Sequence, residues 1–363
     1  MSIKITAIKR QKVALPFTHP IKTAIHDMRS VGCLLVTIET NQGVVGESYL
    51  FTLNGARLNA FDEMVKGLGE FFEGENPRYI EGIWQRIWSE INPTGHKGVT
   101  IAALSALDTA CWDLNGKLAE LPLHHLFGAC RDEIDTYASG GLWLTDDEDQ
   151  LKQDAKDFLA QGFLAMKVRV GSTDIQRDIK RVGIVRDLIG DDIQLMADCN
   201  QSLSAKQAIR LGKALSPFNL TWLEEPVSAD DLDGHADVKT ALDIDIASGE
   251  TEYTRFGMQA MLQKRACDIL MPDLQRVGGL SEMRKIAALS SAYHVPISTH
   301  IFTEHSLSIA GSAHNCVSVE HMPWFEALFN EEMELRNGKI QIPHRLGCGF
   351  TFNHSAIAKL RVL

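Results

Sequence analysis

FLAMKVRVG at 163–171, IQLMADCN at 193–200 and LTWLEEP at 220–226 are short apolar runs that close on charged or polar residues, each about one helix from the next. Between the first two lies DIQRDIKRVGIVRDLIG (174–190), with apolar residues at i, i+3, i+4 and i+7, the period of an amphipathic helix. The rhythm extends in both directions. IDTYASG (134–140) comes before, and IDIASGE (244–250), CDILMPD (267–273), VPISTH (295–300) and CVSVEH (316–321) come after, with LSEMRKIAALSSAYH (280–294) as a second amphipathic stretch. Eight strand-like runs separated by helices are what a barrel of parallel strands requires, because parallel neighbours need a crossover connection. An open doubly wound sheet is the competing architecture, but no G-x-G-x-x-G follows a first strand. Upstream the texture differs. IKITAIKRQKVAL (3–15) and CLLVTIETNQGVVGESYL (33–50) alternate like strands, Asn41-Gln42-Gly43 reads as a hairpin turn, and helical stretches follow over 58–72 and 101–118. Strands followed by helices predict a separate α+β domain over 1–125, ahead of an α/β barrel over 126–325.

The chemistry lies where the runs end: Arg169, Asp198, Glu224, Glu250, Asp273, His300 and Glu320, with successive gaps from Asp198 of 26, 26, 23, 27 and 20 residues, about one βα unit each. In a barrel the C-terminal strand ends open on one face, so residues far apart in sequence converge there. Any one such acid is accounted for equally well as a helix N-cap or a loop ion-pair partner. Three consecutive strands ending in Asp198, Glu224 and Glu250 are a different matter, since clustered carboxylates repel unless a cation sits among them. Hard oxygen ligands without thiolate or paired histidine favour Mg²⁺, or Mn²⁺, over zinc. Asp273 and His300 end the next two strands, and a carboxylate beside an imidazole fixes its tautomer and raises its proton affinity, which suits a general base or acid. Of 13 histidines, His300 shares the layer of the acids, whereas His124, His125 and His294 fall in helical or loop contexts.

Composition excludes other classes. The chain has 363 residues with 47 acidic against 36 basic side chains, a net charge of −11 that disfavours nucleic acid or an anionic membrane as partner. No run approaches the roughly 18 apolar residues of a membrane span. Seven scattered cysteines without a C-x-x-C pair read as free thiols in a reducing cytoplasm. There is no G-x-S-x-G, no P-loop and no H-E-x-x-H.

WLEEP (222–226), Lys167-Val-Arg169, Asp198 in MADCN, SGE (248–250), PDLQRVGG (272–279) and STH (298–300) together resemble the mandelate racemase branch of the enolase superfamily. So do SALDTACWDLNGKLAELPLHHLFG (105–128) and the tail from FNEEMELRNGKI (329–340) to RLGCGF (345–350), and the C-terminal stretch is most similar to sugar-acid dehydratases of the talarate/galactarate type. The resemblance implies a modified (β/α)₇β barrel of the TIM type with an α+β capping domain to which the tail, 326–363, returns. It implies Mg²⁺ on Asp198, Glu224 and Glu250, an Asp273–His300 dyad, and Glu320 as the acid that hydrogen-bonds a substrate carboxylate becoming an enediolate. A homo-oligomer is expected by analogy with that family.

One departure bears on the reaction. The family's second strand usually ends Lys-x-Lys, the second lysine acting as a base; here Arg169 stands in that place, and arginine keeps its proton at neutral pH. Arg169 is then a hydrogen-bond donor or an ion-pair partner of a ligating acid, and Lys167 contacts the carboxylate. One good acceptor, His300, serves a dehydratase that removes an α-proton and expels the β-hydroxyl from the same face. Racemisation needs an acceptor on each face. A racemase, epimerase or cycloisomerase on the same scaffold, or a non-catalytic binding relative, is the alternative. The expected substrate is a small carboxylate, a sugar acid, met by Asn200 and by capping residues. The His19–Arg29 loop offers Lys22 and His26, a second basic spot lies at His96-Lys97, and Trp324 and Phe325 follow the last strand.

Overall fold

The structure, a computed structural model, describes residues 2–362. Strands β1 (Ile5–Lys22), β2 (Asp27–Thr40) and β3 (Val45–Leu53) form an antiparallel meander, to whose β1 edge Arg361–Val362 pairs from the far end of the chain. Asn41-Gln42-Gly43 makes the expected β2–β3 turn, with Gly43 at φ 77°, a conformation that glycine adopts without the Cβ penalty. The stretch His19–Arg29 is not the loop that the sequence suggests. β1 continues to Lys22, with Ile21 paired to Met28 and Lys22 to Asp27, and the register shifts between Pro16 and Ile21. Pro16 and Pro20 lie at this irregularity in the ladder, which accommodates residues that cannot donate to it.

Helices α1 (Leu58–Gly69), α2 (Ile80–Glu90) and α3 (Val99–Leu118) follow, then a short α4 (Leu123–Phe127). Helix α3 has no distinct polar face and is buried along nearly its whole length, as a helix packed on two faces must be. One face meets the sheet so closely that a Cβ on Gly46 would stand 2.0 Å from the Ala110 carbonyl oxygen. The other meets the barrel, where Ser105 Oγ donates to Leu274 O and Trp112 Nε1 to Ser281 Oγ.

The eight runs form eight parallel strands: β4 (Glu133–Ala138), β5 (Ala165–Arg169), β6 (Gln194–Asp198), β7 (Trp222–Glu224), β8 (Asp245–Ser248), β9 (Ile269–Leu270), β10 (Ile297–Thr299) and β11 (Cys316–His321). β11 pairs with β4, Val319 opposite Thr136, and so closes the barrel. Local chemistry starts the crossover helices: Asp147 caps α5 (Glu148–Gln161), Asp174 caps α6 (Ile175–Ile189), and Ser204 with Gln207 forms a capping box on α7 (Ala205–Leu215). Inside the barrel, Tyr137, Met196, Trp222 and Met271 fill the layer beneath the rim. Capping sheet and barrel share one aromatic core, in which Tyr49 and Phe51 lie 4.8–5.5 Å from the rings of Phe302 and Phe325. Phe325 belongs to that core and does not line the cavity at the rim. No helix among the described residues is long and apolar enough to cross a membrane.

Candidate active site

The barrel register brings the strand-end residues together. Arg169 lies opposite Asp198, Asp198 opposite Glu224, and Asp273 bridges to His300 just beyond β9 and β10. Backbone strain marks the same rim: Asn200, Gln201, Glu225, Ile301 and Phe302 all have φ between 40° and 63° directly after strand ends. Non-glycine residues hold that conformation only where the surroundings over-determine it. The rim bounds a cavity shared by the barrel and the β1–β2 hairpin tip. Lys167, Arg169, Asp198, Glu250, His300 and Glu320 line it from the barrel, with Asn200 and Trp324, and His26 lines it from the hairpin. Glu224 lies fully buried just beneath. Lys22 is not brought in. Its ammonium pairs with Asp27 at 2.9 Å on the exposed side of the hairpin, because neighbours across a strand pair meet before either reaches the site. His96 stacks on Trp88 and Lys97 faces Glu252 at 4.0 Å, so neither belongs to the cavity.

Each carboxylate is engaged by a cation. Lys167 Nζ stands 2.5 Å from Glu224 Oε1, 2.9 Å from Glu320 Oε1 and 3.6 Å from Asp198 Oδ2. Burial alone would push the lysine's pKa down, but Glu224 and Glu320 outweigh it and hold Lys167 an ammonium. Arg276 Nη1 lies 3.2 Å from Glu250 Oε1. His300 Nδ1 is 2.8 Å from Asp273 Oδ2, and its Nε2 is 3.1 Å from Glu250 Oε2. Burial opposes protonation of His300, yet Glu250, Glu320 and the Asp273 hydrogen bond raise its pKa to about 9. Burial, reinforced by Asp198, Glu320 and Glu250 against the pull of Lys167, raises Glu224 to about 7.

Glu320 differs from Glu224 in the direction of its shift. Burial favours the acid form, but Lys167, His300 and Arg169 overcome it and hold Glu320 ionised, well below the usual carboxylate range. Its oxygens accept from Ser139 Oγ at 2.6 Å and from the Ile301 amide at 2.9 Å. Arg169 Nη2 donates to the same Ser139 Oγ, Arg169 Nε sits 3.5 Å from Asp198 Oδ2, and the guanidinium lies over Trp143 at 4.7 Å. Arg169 Nε and Nη1 and Asn200 Oδ1 are buried without a hydrogen-bond partner, although all three groups border the cavity. Buried polar atoms are seldom left so, and a ligand that enters the cavity would meet them.

The donor set fits a divalent cation of the magnesium kind. Asp198, Glu224 and Glu250 occupy three adjacent strand ends, buried, with oxygen ligands only, and the ammonium of Lys167 stands where their charge calls for a positive partner. Their oxygens are not gathered as tightly as those of a second cluster, His124, His125, Asp132 and His344. That cluster alone among the described residues brings the ligand atoms of three or more such side chains within 4.8 Å of one another. The rim acids pair instead with Lys167, Arg276 and His300.

Residues 5–128 match the mandelate racemase/muconate lactonizing enzyme N-terminal domain, and residues 150–356 match the enolase C-terminal domain-like family. The chain belongs to the mandelate racemase branch of the enolase superfamily. It is 32% identical to L-talarate/galactarate dehydratase of Salmonella typhimurium over 97% of this chain and 90% of that protein. It is 33% identical to 3,6-anhydro-alpha-L-galactonate cycloisomerase of Streptomyces coelicolor, over 94% and 96%. L-talarate dehydratase from Polaromonas sp. JS666, crystallised with Mg and L-glucarate, superposes with a TM-score of 0.94 at 33% identity, covering 99% of this chain and 98% of that one. Members of this branch thus combine the two domains found here.

Sequence reasoning did not single out Ser139, Trp143 or Arg276. Ser139 and Trp143 sit in the loop after β4 and Arg276 in the short helix Leu274–Val277 that Asp273 caps, and the only available signal was position: Ser139 directly follows β4, and Arg276 comes three residues after Asp273.

Proposed function

We propose that the chain is a Mg²⁺-dependent hydro-lyase that dehydrates a sugar acid, an aldonate or aldarate, to a 2-keto-3-deoxy acid. The observation that carries this reading is the inventory of proton acceptors at the cavity: His300, oriented by Asp273 at 2.8 Å, faces two basic groups that keep their protons, Lys167 and Arg169. Asp198, Glu224 and Glu250 would hold the ion. When bound, Mg²⁺ (or Mn²⁺) supplies positive charge to the substrate carboxylate and offsets the carboxylate charge that keeps His300 protonated.

A proton α to an ionised carboxylate is weakly acidic because its loss adds a second negative charge there. Lys167 and the spare donors of Arg169 stabilise that charge where it develops. His300 takes the α-proton, the resulting enediolate expels the β-hydroxyl, and His300 returns the proton to it as it leaves. One water is released and the enol tautomerises to the 2-keto acid, so each proton and electron pair is accounted for. We further place the enzyme in the cytoplasm as a homo-oligomer. The free state of all seven cysteines supports the first part, and family analogy the second.

A second reading is favoured by the 33% identity to a cycloisomerase: the same α-proton is lost, but the leaving group is a ring oxygen and no water departs. The test is a screen of aldonates, aldarates and their lactones with Mg²⁺, with 2-keto acid and ring opening followed separately. Open-chain acids turned over to 2-keto acids, with activity lost to chelator and restored by Mg²⁺, support dehydration. Turnover of lactones alone, or α-hydrogen exchange without water loss, overturns it.

A further inference from the structure

We propose that His124, His125, Asp132 and His344 form a second metal site, structural in role, for a zinc-type transition-metal dication. One ligand atom from each residue lies within 4.8 Å of every other. His124 Nε2 and His344 Nε2 each stand 3.6 Å from Asp132 Oδ1, and the three imidazole centroids are 4.3–5.6 Å apart. His124 is 2% exposed, and its Nε2 is buried with no hydrogen-bond partner, aimed at the carboxylate. A buried imidazole nitrogen left without a donor or acceptor calls for something to bind it.

Three nitrogens and one carboxylate oxygen suit a closed tetrahedral Zn²⁺ site, and the nitrogens make it a poor one for Mg²⁺. Tetrahedral zinc spaces its ligand atoms about 3.3 Å apart, given Zn–N lengths of about 2.0–2.1 Å. His125, Asp132 and His344 are exposed and free to turn inward to that spacing, while His124 is held by packing against Gly311. The ligands come from three separate pieces of chain: α4, the segment entering β4, and the C-terminal tail. Here the tail is already tied to α4 by the Leu123 amide donating to Gly347 O. An ion at this point cross-links the tail to the junction between capping domain and barrel, away from the rim carboxylates.

The experiment uses the full-length enzyme, stripped of metal and then kept in millimolar Mg²⁺ to cover the rim acids. Zn²⁺ is added, excess is removed by desalting, and bound metal is counted; Co²⁺ is added in parallel as a spectroscopic probe. The expected result is one retained zinc per chain and visible absorption bands of four-coordinate cobalt. His125→Asn and His344→Gln alter exposed side chains, so they test ligation without burying a defect. Each should weaken zinc binding at least tenfold and abolish the cobalt bands, with Mg²⁺-dependent turnover unchanged. Glu250→Gln should keep the retained zinc. No retained zinc in the wild type, equal zinc in both histidine variants, or loss of the zinc in Glu250→Gln would each overturn the proposal.

Discussion

Helix α3 and the barrel rim both bury carboxylates, yet they treat them differently. In α3, Asp113 accepts from the amides of Cys348 and Glu47 and from Lys117 at 2.6–2.9 Å, and both oxygens of Asp108 are taken by Ser281. Each oxygen there has its donor, and the donors come from the sheet, the barrel and the tail, so the acids fasten three parts of the molecule. At the rim one ammonium is shared among Glu224, Glu320 and Asp198, while two guanidinium nitrogens and an amide oxygen are left unmatched. Buried charge with complete partners makes structure; buried charge with spare donors beside a cavity makes a place for a ligand.

Variants at the rim and in α3 should therefore fail in different assays. His300→Asn should lower turnover by about 10³-fold, within the usual contribution of a general acid–base group, with little change in melting temperature. Activity within tenfold of wild type in the assay for 2-keto acid would remove His300 from the chemistry. Asp113→Ala should do the converse. It leaves two backbone amides buried without their acceptor and breaks the ion pair with Lys117, whose ammonium keeps only Val45 O and the more distant Glu47, which costs about 3–5 kcal/mol of stability by urea unfolding. The protein that remains folded should turn over substrate at the wild-type rate.

In α3 the stability should also depend on pH. Burial raises the Asp108 pKa to about 7, against the pull of the Ser281 donors. A carboxyl whose folded value is raised contributes stability below its unfolded value near 4 and loses it as pH climbs through about 7. Relative to Asp108→Asn, wild type should therefore be more stable at pH 5 than at pH 8, by on the order of 2 kcal/mol. A difference that stays flat, or reverses, would mean that the serine donors outweigh burial.

The rim was legible in the sequence because each βα unit ends its strand on a charged residue, so Asp198, Glu224, Glu250, Asp273, His300 and Glu320 stand out by spacing alone. The hairpin tip was not. The basic residues of His19–Arg29 suggest a loop, and Lys22 carries a charge that looks available until the strand pairing hands it Asp27. Helix α3 showed as a helix, but without a distinct polar face it gave no sign of which face meets which partner. Glu320 was recognised as an acid at the site. Its ionisation depends on Lys167 and His300, over a hundred and twenty residues apart in sequence, and so on distances that only the fold supplies.

The smallest effect expected is the most exacting check of the rim half. Arg169→Lys keeps the positive charge but loses the planar fork, the stacking over Trp143 and the donors now unpartnered at the cavity. If those donors receive substrate oxygens, kcat/KM should fall about tenfold, about 1.4 kcal/mol, while stability is unchanged. The substitution also restores the Lys-x-Lys pattern of the family, and with it a candidate second base. The introduced amine would face Asp198, as Lys167 faces Glu224, and should likewise stay protonated, so solvent deuterium should not enter the α-position without water loss. Exchange without water loss in Arg169→Lys, and not in wild type, would show that the arginine alone sets the course of the reaction. An unchanged kcat/KM would show that the spare donors at the rim await no ligand.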